Sequence, residues 1–204
     1  MGGFCWICHA PSERLWRNKA SSNTKMIYLN IQLAGLTGRQ HPALAGIETT
    51  RDVERLRPHM KMLTGDYLTY NRIALDNESA DPCCRICRHT KPYQPSPPET
   101  IAHILTACSG TAEVRERLLP ELLNTLLEVQ PNHAYLTCPP ELNSLDHTLT
   151  QFLLDCSSFN LEPQYRISIT NDRLLDMFRI SRDICYAAHS SRMTKLKLLK
   201  AESK

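Results

Sequence analysis

Apolar positions recur at helical rather than strand intervals along most of the chain. From Thr49 to Leu63 a capping Thr-Thr-Arg-Asp opening is followed by Val53, Leu56, Met60 and Leu63, the spacing of one helix face. Pro58 falls inside this run and predicts a break or kink near Arg57. A second run, Thr111 to Val129, aligns Val114, Leu118, Leu122, Thr125 and Val129 opposite Glu and Arg, with Pro120 allowing either one helix or two short ones. The third begins at an Asn171 cap and sets Leu174, Leu175, Phe178, Ile184, Cys185 and Ala188 on one apolar face to about His189. Beyond it, Arg192 to Lys204 either extends the helix or is disordered. Between the second and third runs, Pro131, Pro139, Pro140 and Pro163 mark loops around a short apolar segment, Leu149 to Leu154. Arg166 to Thr170 is the one strand candidate. The pattern predicts a mainly α fold, a small helical domain.

The 204 residues include nine Cys but only seven Gly, too little Gly and too little alternation for a β-sandwich or barrel. No apolar run approaches the roughly 20 residues of a membrane-spanning helix. The first residues, Met1 to Arg14, lack the apolar core and cleavage site of a secretion signal. The expectation is a soluble, intracellular chain, cytoplasmic or nuclear, without membrane association. In a reducing compartment nine cysteines point to metal ligands or buried thiols, and an odd number cannot all pair within one chain.

One segment carries the spacing of a metal site. Cys84, Cys87, His103 and Cys108 read C-x2-C-x15-H-x4-C. A Cys-x2-Cys turn aims two thiolates at one ion, near 2.3 Å from zinc (about that value in structural sites). Ser96-Pro97-Pro98-Glu99 reads as an N-cap, first-turn prolines and a capping-box acid, so a helix starting at Pro97 is expected to carry His103. Cys108 then falls just past its end, where Ser109-Gly110 unwinds the chain. Four prolines between Lys91 and Glu99 stiffen the intervening loop. Four protein ligands close a tetrahedral shell, which favours a structural Zn2+ over a hydrolytic one. Cys83 remains an alternative to Cys84, as C-x3-C with Cys87, and His89 reads as a solvated loop residue.

The net charge of +3 is small but segregated: counted along the sequence, residues 111–178 hold 4 basic and 10 acidic side chains, and residues 179–204 hold 7 and 2. That pattern fits a phosphate-binding surface and equally a solvated acidic face beside a Lys-rich tail. Near the Cys/His cluster, Tyr93 is a candidate for base stacking or for packing on the prolines, and Arg85, Arg88 and Lys91 for phosphates or plain solvation. Arg192, Lys195, Lys197 and Lys200 are candidates for further non-specific phosphate attraction or for keeping an exposed tail soluble. Cys5-Trp-Ile-Cys8-His9 matches a haem-attachment or redox string without the context either requires. Cys5 and Cys8 are more simply free thiols or half of a second metal site. Cys138, Cys156 and Cys185 follow apolar positions and read as buried small hydrophobes, and Trp6 and Trp16 as core anchors.

Several blocks taken together resemble the C-terminal region of non-LTR (LINE-type, jockey-like) retrotransposon polyproteins, where a zinc knuckle follows the reverse transcriptase. They are Thr50-Arg-Asp-Val-Glu, Met60-Lys-Met-Leu-Thr-Gly-Asp-Tyr-Leu, Asn71-Arg, Cys84-x2-Cys87, Glu99-Thr-x2-His103-x4-Cys108, Gln151-Phe-Leu-Leu-Asp-Cys, Tyr165-Arg-Ile-Ser and Ile180 to Ser190. The resemblance runs from about Leu15 to Lys200 and implies a zinc-stabilised helical module that helps bind element RNA or target DNA. By motif it carries Cys84, Cys87, His103 and Cys108 over as zinc ligands. The polymerase does not carry over, because no Tyr-x-Asp-Asp segment is present to hold its two metal ions. Pro58 and the long proline loop depart from the family pattern. The organisation expected is an unmatched, flexible start (1–14), a helical region (15–82), a CCHC zinc knuckle (83–110), a C-terminal helical region (111–191) and a basic tail (192–204). The functional expectation is a nonenzymatic module that binds zinc and RNA or single-stranded DNA. The alternative is a zinc-stabilised protein-interaction or structural remnant without nucleic-acid affinity.

Overall fold

Capping and burial build the helices of this fold one by one. The computed structural model describes residues 42–129, 145–156 and 171–202. Among these the fold is mainly α, with helices α1 (Thr50–Leu63), α2 (Tyr70–Asp76), α3 (Arg85–Thr90), α4 (Ala112–Val129), α5 (Leu145–Leu154) and α6 (Asn171–Glu202). No strand occurs among the described residues, only an isolated antiparallel bridge between Cys83 and Pro98. No helix described is long and apolar enough to cross a membrane.

The α1 start follows its sequence signal. Thr49 Oγ1 accepts from Asp52 N at 3.2 Å and Asp52 Oδ2 accepts from Thr49 N at 2.9 Å, a reciprocal capping box. Gly65, with φ of 72°, takes the left-handed conformation that ends the helix, which a side chain would resist. Two expectations change here. The helix runs through Pro58 without a break, and Pro58 is buried. The ring supplies apolar surface to the core and so offsets part of the lost backbone hydrogen bond. The buried face is also rotated: Pro58, His59, Met62 and Leu63 face the core, whereas Val53 is 45% exposed. His59 is drawn inward because its Nε2 meets the Leu154 carbonyl oxygen at 2.7 Å, at the end of α5.

Helix α4 is one helix through Pro120, with Val114 and Leu122 buried as expected and Leu118 partly buried. The apolar segment Leu149 to Leu154 forms the larger part of α5, and Phe152, Leu153 and Leu154 are buried. Helix α6 is the spine, packing along α1 and α4. It buries Leu174, Met177, Phe178, Ile180, Ile184, Cys185 and Ala188, while Leu175 faces solvent. It already includes Asn171, and it continues unbroken across 191 to Glu202, so residues 192–202 form its last turns. Arg55 on α1 and Asp183 on α6 pair at 2.7 Å. Cys156 and Cys185 are fully buried free thiols, and burial pushes Cys185 up to about 12, so both behave as inert core residues. The expectations for Cys5, Cys8, Trp6, Trp16, Cys138 and the Arg166–Thr170 strand fall outside the described residues.

Candidate metal centre

Two short elements bring the four ligands together. Cys84 caps α3 with extended backbone, its carbonyl accepting from Arg88 N at 3.0 Å, and Cys87 lies in the first turn of α3. The other pair comes from a π-helical turn, His103–Ala107, entered through Ile101 and Ala102. Its closing bond, Cys108 N to His103 O at 2.7 Å, spans five residues. The chain then extends at Cys108 and turns through the 3-10 segment Ser109–Thr111.

The expected helix start at Pro97 is replaced by a later one. Consecutive prolines hold Ser96 and Pro97 extended, because the residue before a proline avoids helical backbone angles. The extended stretch bonds across to the segment 82–84: Cys84 N donates to Pro97 O at 2.9 Å and Glu99 N to Pro82 O at 2.8 Å. Thr100 is the cap instead, its Oγ1 accepting from His103 N at 3.0 Å. Ser96 Oγ donates to Cys84 O at 2.7 Å, so the proline loop clamps the first ligand from behind.

The four ligand atoms of Cys84, Cys87, His103 and Cys108 lie within 4.8 Å of one another. Cys84 Sγ and Cys87 Sγ each stand 3.8 Å from Cys108 Sγ, and Cys87 Sγ stands 3.3 Å from His103 Nε2. Disulfide sulfurs sit about 2.05 Å apart, so these are not bonded pairs. Cys84 is 0% exposed, Cys108 1%, Cys87 7% and His103 9%. The cluster is thus positioned to hold a metal ion. The hydrogen bond with Cys108, together with burial, pushes Cys84 up to about 12, and the same bond holds Cys108 below its ordinary value. A bound dication reverses that balance by favouring thiolates. Cys108 Sγ also accepts from Gly110 N at 3.3 Å.

A support layer fixes the ligands. Thr111 Oγ1 donates to Ile104 O at 2.6 Å, and Arg115 Nη1 donates to Cys108 O at 2.9 Å. Gly110 has no room for a side chain: a Cβ there meets Ile86 Cγ2 at 2.9 Å and Cys108 Sγ at 3.4 Å. Gly110→Ala is therefore expected to lower stability by about 1–3 kcal/mol through overpacking. Denaturant midpoints with unchanged slope check this, and a variant as stable as the parent contradicts it.

The remaining predicted residues divide. Cys83 is partly exposed, outside the cluster. Arg85 is exposed, its guanidinium 4.5 Å over the Tyr70 ring. Arg88 bonds Asp81 at 2.6 Å, which holds the Asp81 carboxyl down to about 2. Lys91 is exposed and borders a half-open cleft of about 440 Å³ that Gln94, Ser96, Thr100 and His103 also line. Tyr93 is 100% exposed, so it does not pack on the prolines. His89 lies on α3 rather than in a loop, exposed and 3.4 Å from Glu202.

Arg192, expected in a solvated tail, is buried. Its Nη2 meets Glu99 Oε1 at 2.6 Å, with Arg192 8% and Glu99 0% exposed at the side chain. The Arg192 guanidinium lies 5.5 Å over Tyr67 and 5.9 Å over Tyr70, and Glu99 Oε1 also accepts from Tyr70 N at 3.0 Å. Glu99 is thus a buried counterion rather than a capping-box residue. Tyr67 in turn bonds His189 Nδ1 through its hydroxyl at 2.9 Å. Compared with models of known families, with curated proteins and with solved structures, the chain has no match.

Proposed function

We propose that Cys84, Cys87, His103 and Cys108 hold one Zn2+ in a structural site, and that the knuckle so formed binds single-stranded RNA or DNA. The observation that carries the metal is the spacing of the ligand atoms. A tetrahedral ion about 2.3 Å from sulfur and about 2.0–2.1 Å from nitrogen has S–S edges of about 3.8 Å and S–N edges of about 3.6 Å. The corresponding separations here are 3.8, 3.8 and 3.3 Å. Three thiolates and an imidazole are a soft donor set that suits zinc rather than magnesium or calcium. Four protein ligands leave no position for a reacting water, so binding rather than catalysis is the proposed role.

Nucleic-acid binding rests on the surface beside the site. Tyr93 is fully exposed, Lys91 precedes it by two residues, and Arg85 is exposed on the same knuckle. An exposed ring and exposed cations on one module are the elements that stack bases and neutralise phosphates. Arg88, held by Asp81, contributes less, and the buried Arg192 is withdrawn from any phosphate. The resemblance to the C-terminal region of LINE-type retrotransposon polyproteins supports the same reading. One observation favours a protein-interaction module instead: Leu68 and Leu75, flanking and ending α2, are 63% and 72% exposed.

Binding of a labelled single-stranded RNA across a salt series separates the two. The expected result is a log-linear loss of affinity as salt rises, with Lys91→Ala lowering the slope by about 0.7. Tyr93→Ala is expected to cost about 1–3 kcal/mol of affinity, the range for one stacked base. No binding in low salt overturns the nucleic-acid reading and leaves the exposed leucines as the better guide.

A further inference from the structure

Helix α6 belongs to two cores. Its residues from Leu174 to Ala188 pack in the large cluster with α1, α4 and α5. From Ser191 onward its partners change. Ser191 Oγ donates to Gly110 O at 2.7 Å, Arg192 pairs with Glu99, and Glu202 approaches His89. Leu196 and Leu199 pack on a separate small cluster of Cys84, Ile86, Cys87 and Cys108, three of whose four members are ligands. Apart from the Tyr67 and Tyr70 rings beneath Arg192, each of these partners lies within four residues of a ligand, or is one.

We infer that metal occupancy gates the docking of the last three turns of α6, residues 191–202. The inference rests on the metal assignment above but not on nucleic-acid binding. With an ion bound, the three sulfurs and the imidazole stay gathered, and the surface on which Leu196 and Leu199 rest persists. Without it, the Cys84 and Cys108 halves are joined only by thiol contacts, the short Cys83–Pro98 bridge and the hydroxyl bonds of Ser96 and Thr90. The surface opens, and a 12-residue helical stretch without packing is marginal in water. The upstream half, anchored in the other core, stays folded. The coupling is reciprocal, because an interaction that docks the helix only in the metal-bound form must tighten the metal by the same factor.

Hydrogen exchange on the full chain, zinc-loaded and after chelation, tests the gate. Zinc content per chain is measured first, and a chain that takes up no zinc overturns the assignment itself. The expected result is exchange at least tenfold faster in residues 191–202 of the chelated chain, with residues 174–188 unchanged. Equal protection of 191–202 in both forms overturns the inference, as does loss of protection along all of α6, which marks global unfolding. In the reciprocal arm, Leu196→Ala with Leu199→Ala is expected to weaken zinc binding at least tenfold by chelator competition. Leu198→Ala, at a side chain 58% exposed, is expected to leave it unchanged. Parental zinc affinity in the double variant overturns the coupling.

Discussion

Exchanging Cys84 for Ser together with His103 for Ala is expected to abolish metal binding and to unfold the knuckle while the α1–α5–α6 core survives. The two residues come from opposite halves of the site, so the pair removes one anchor from each. Each half is short. Helix α3 spans six residues and the π turn five, and neither holds its shape alone in water. What joins them apart from the ligands is the Cys83–Pro98 bridge and the hydroxyl bonds of Ser96 and Thr90. A ligand held about a thousandfold above its dissociation constant stabilises the folded state by about 4 kcal/mol. That is the loss expected in the variant, seen as a lower thermal midpoint that added zinc no longer raises. The large cluster around Met177, Phe178, Leu153 and Met62 contains no ligand, so helical circular dichroism is expected to fall only in part.

Arg192→Met is expected to destabilise the chain by about 3–5 kcal/mol, the cost of leaving one member of a buried ion pair uncompensated. Glu99 has no exposure, and its Oε1 loses its charged partner while Oε2 has no hydrogen-bond partner to begin with. The carboxylate is then buried without its counterion, next in sequence to Thr100, which caps the turn carrying His103. Adding Glu99→Gln is expected to recover most of the loss, because removing both charges removes the desolvation cost along with the attraction. Chemical denaturation of the two single variants and the double variant checks this. A single Arg192→Met that unfolds at the parental midpoint contradicts the account.

The Cys/His cluster was legible in the sequence because its information is local. Four ligands at fixed spacing fall within 25 residues, Cys84 to Cys108, and each spacing has a backbone reason. Helix periodicity likewise located α1, α4 and the first half of α6. The misreadings have physical causes of two kinds. At Ser96 to Glu99 a helix-start pattern was present, but two adjacent prolines favour extended backbone as strongly as a first turn, and the bonds to Pro82 and Cys84 decide between them. In α1 the periodicity favoured Val53, and a carbonyl 95 residues away turned His59 inward instead. The Glu99–Arg192 pair spans 93 residues, and nothing in either segment distinguishes a buried partner from a solvated charge. For the tail, basic composition suggested solvation, whereas Leu196 and Leu199 at i, i+3 were the signal that one face is covered.

The most direct test is metal content per chain, by elemental mass spectrometry, on protein purified without added metal. The account predicts about one zinc per chain, absent from the Cys84→Ser, His103→Ala variant. A parental chain that carries no zinc and takes none up, with its knuckle still protected from hydrogen exchange, would show that these four residues are held together without a metal.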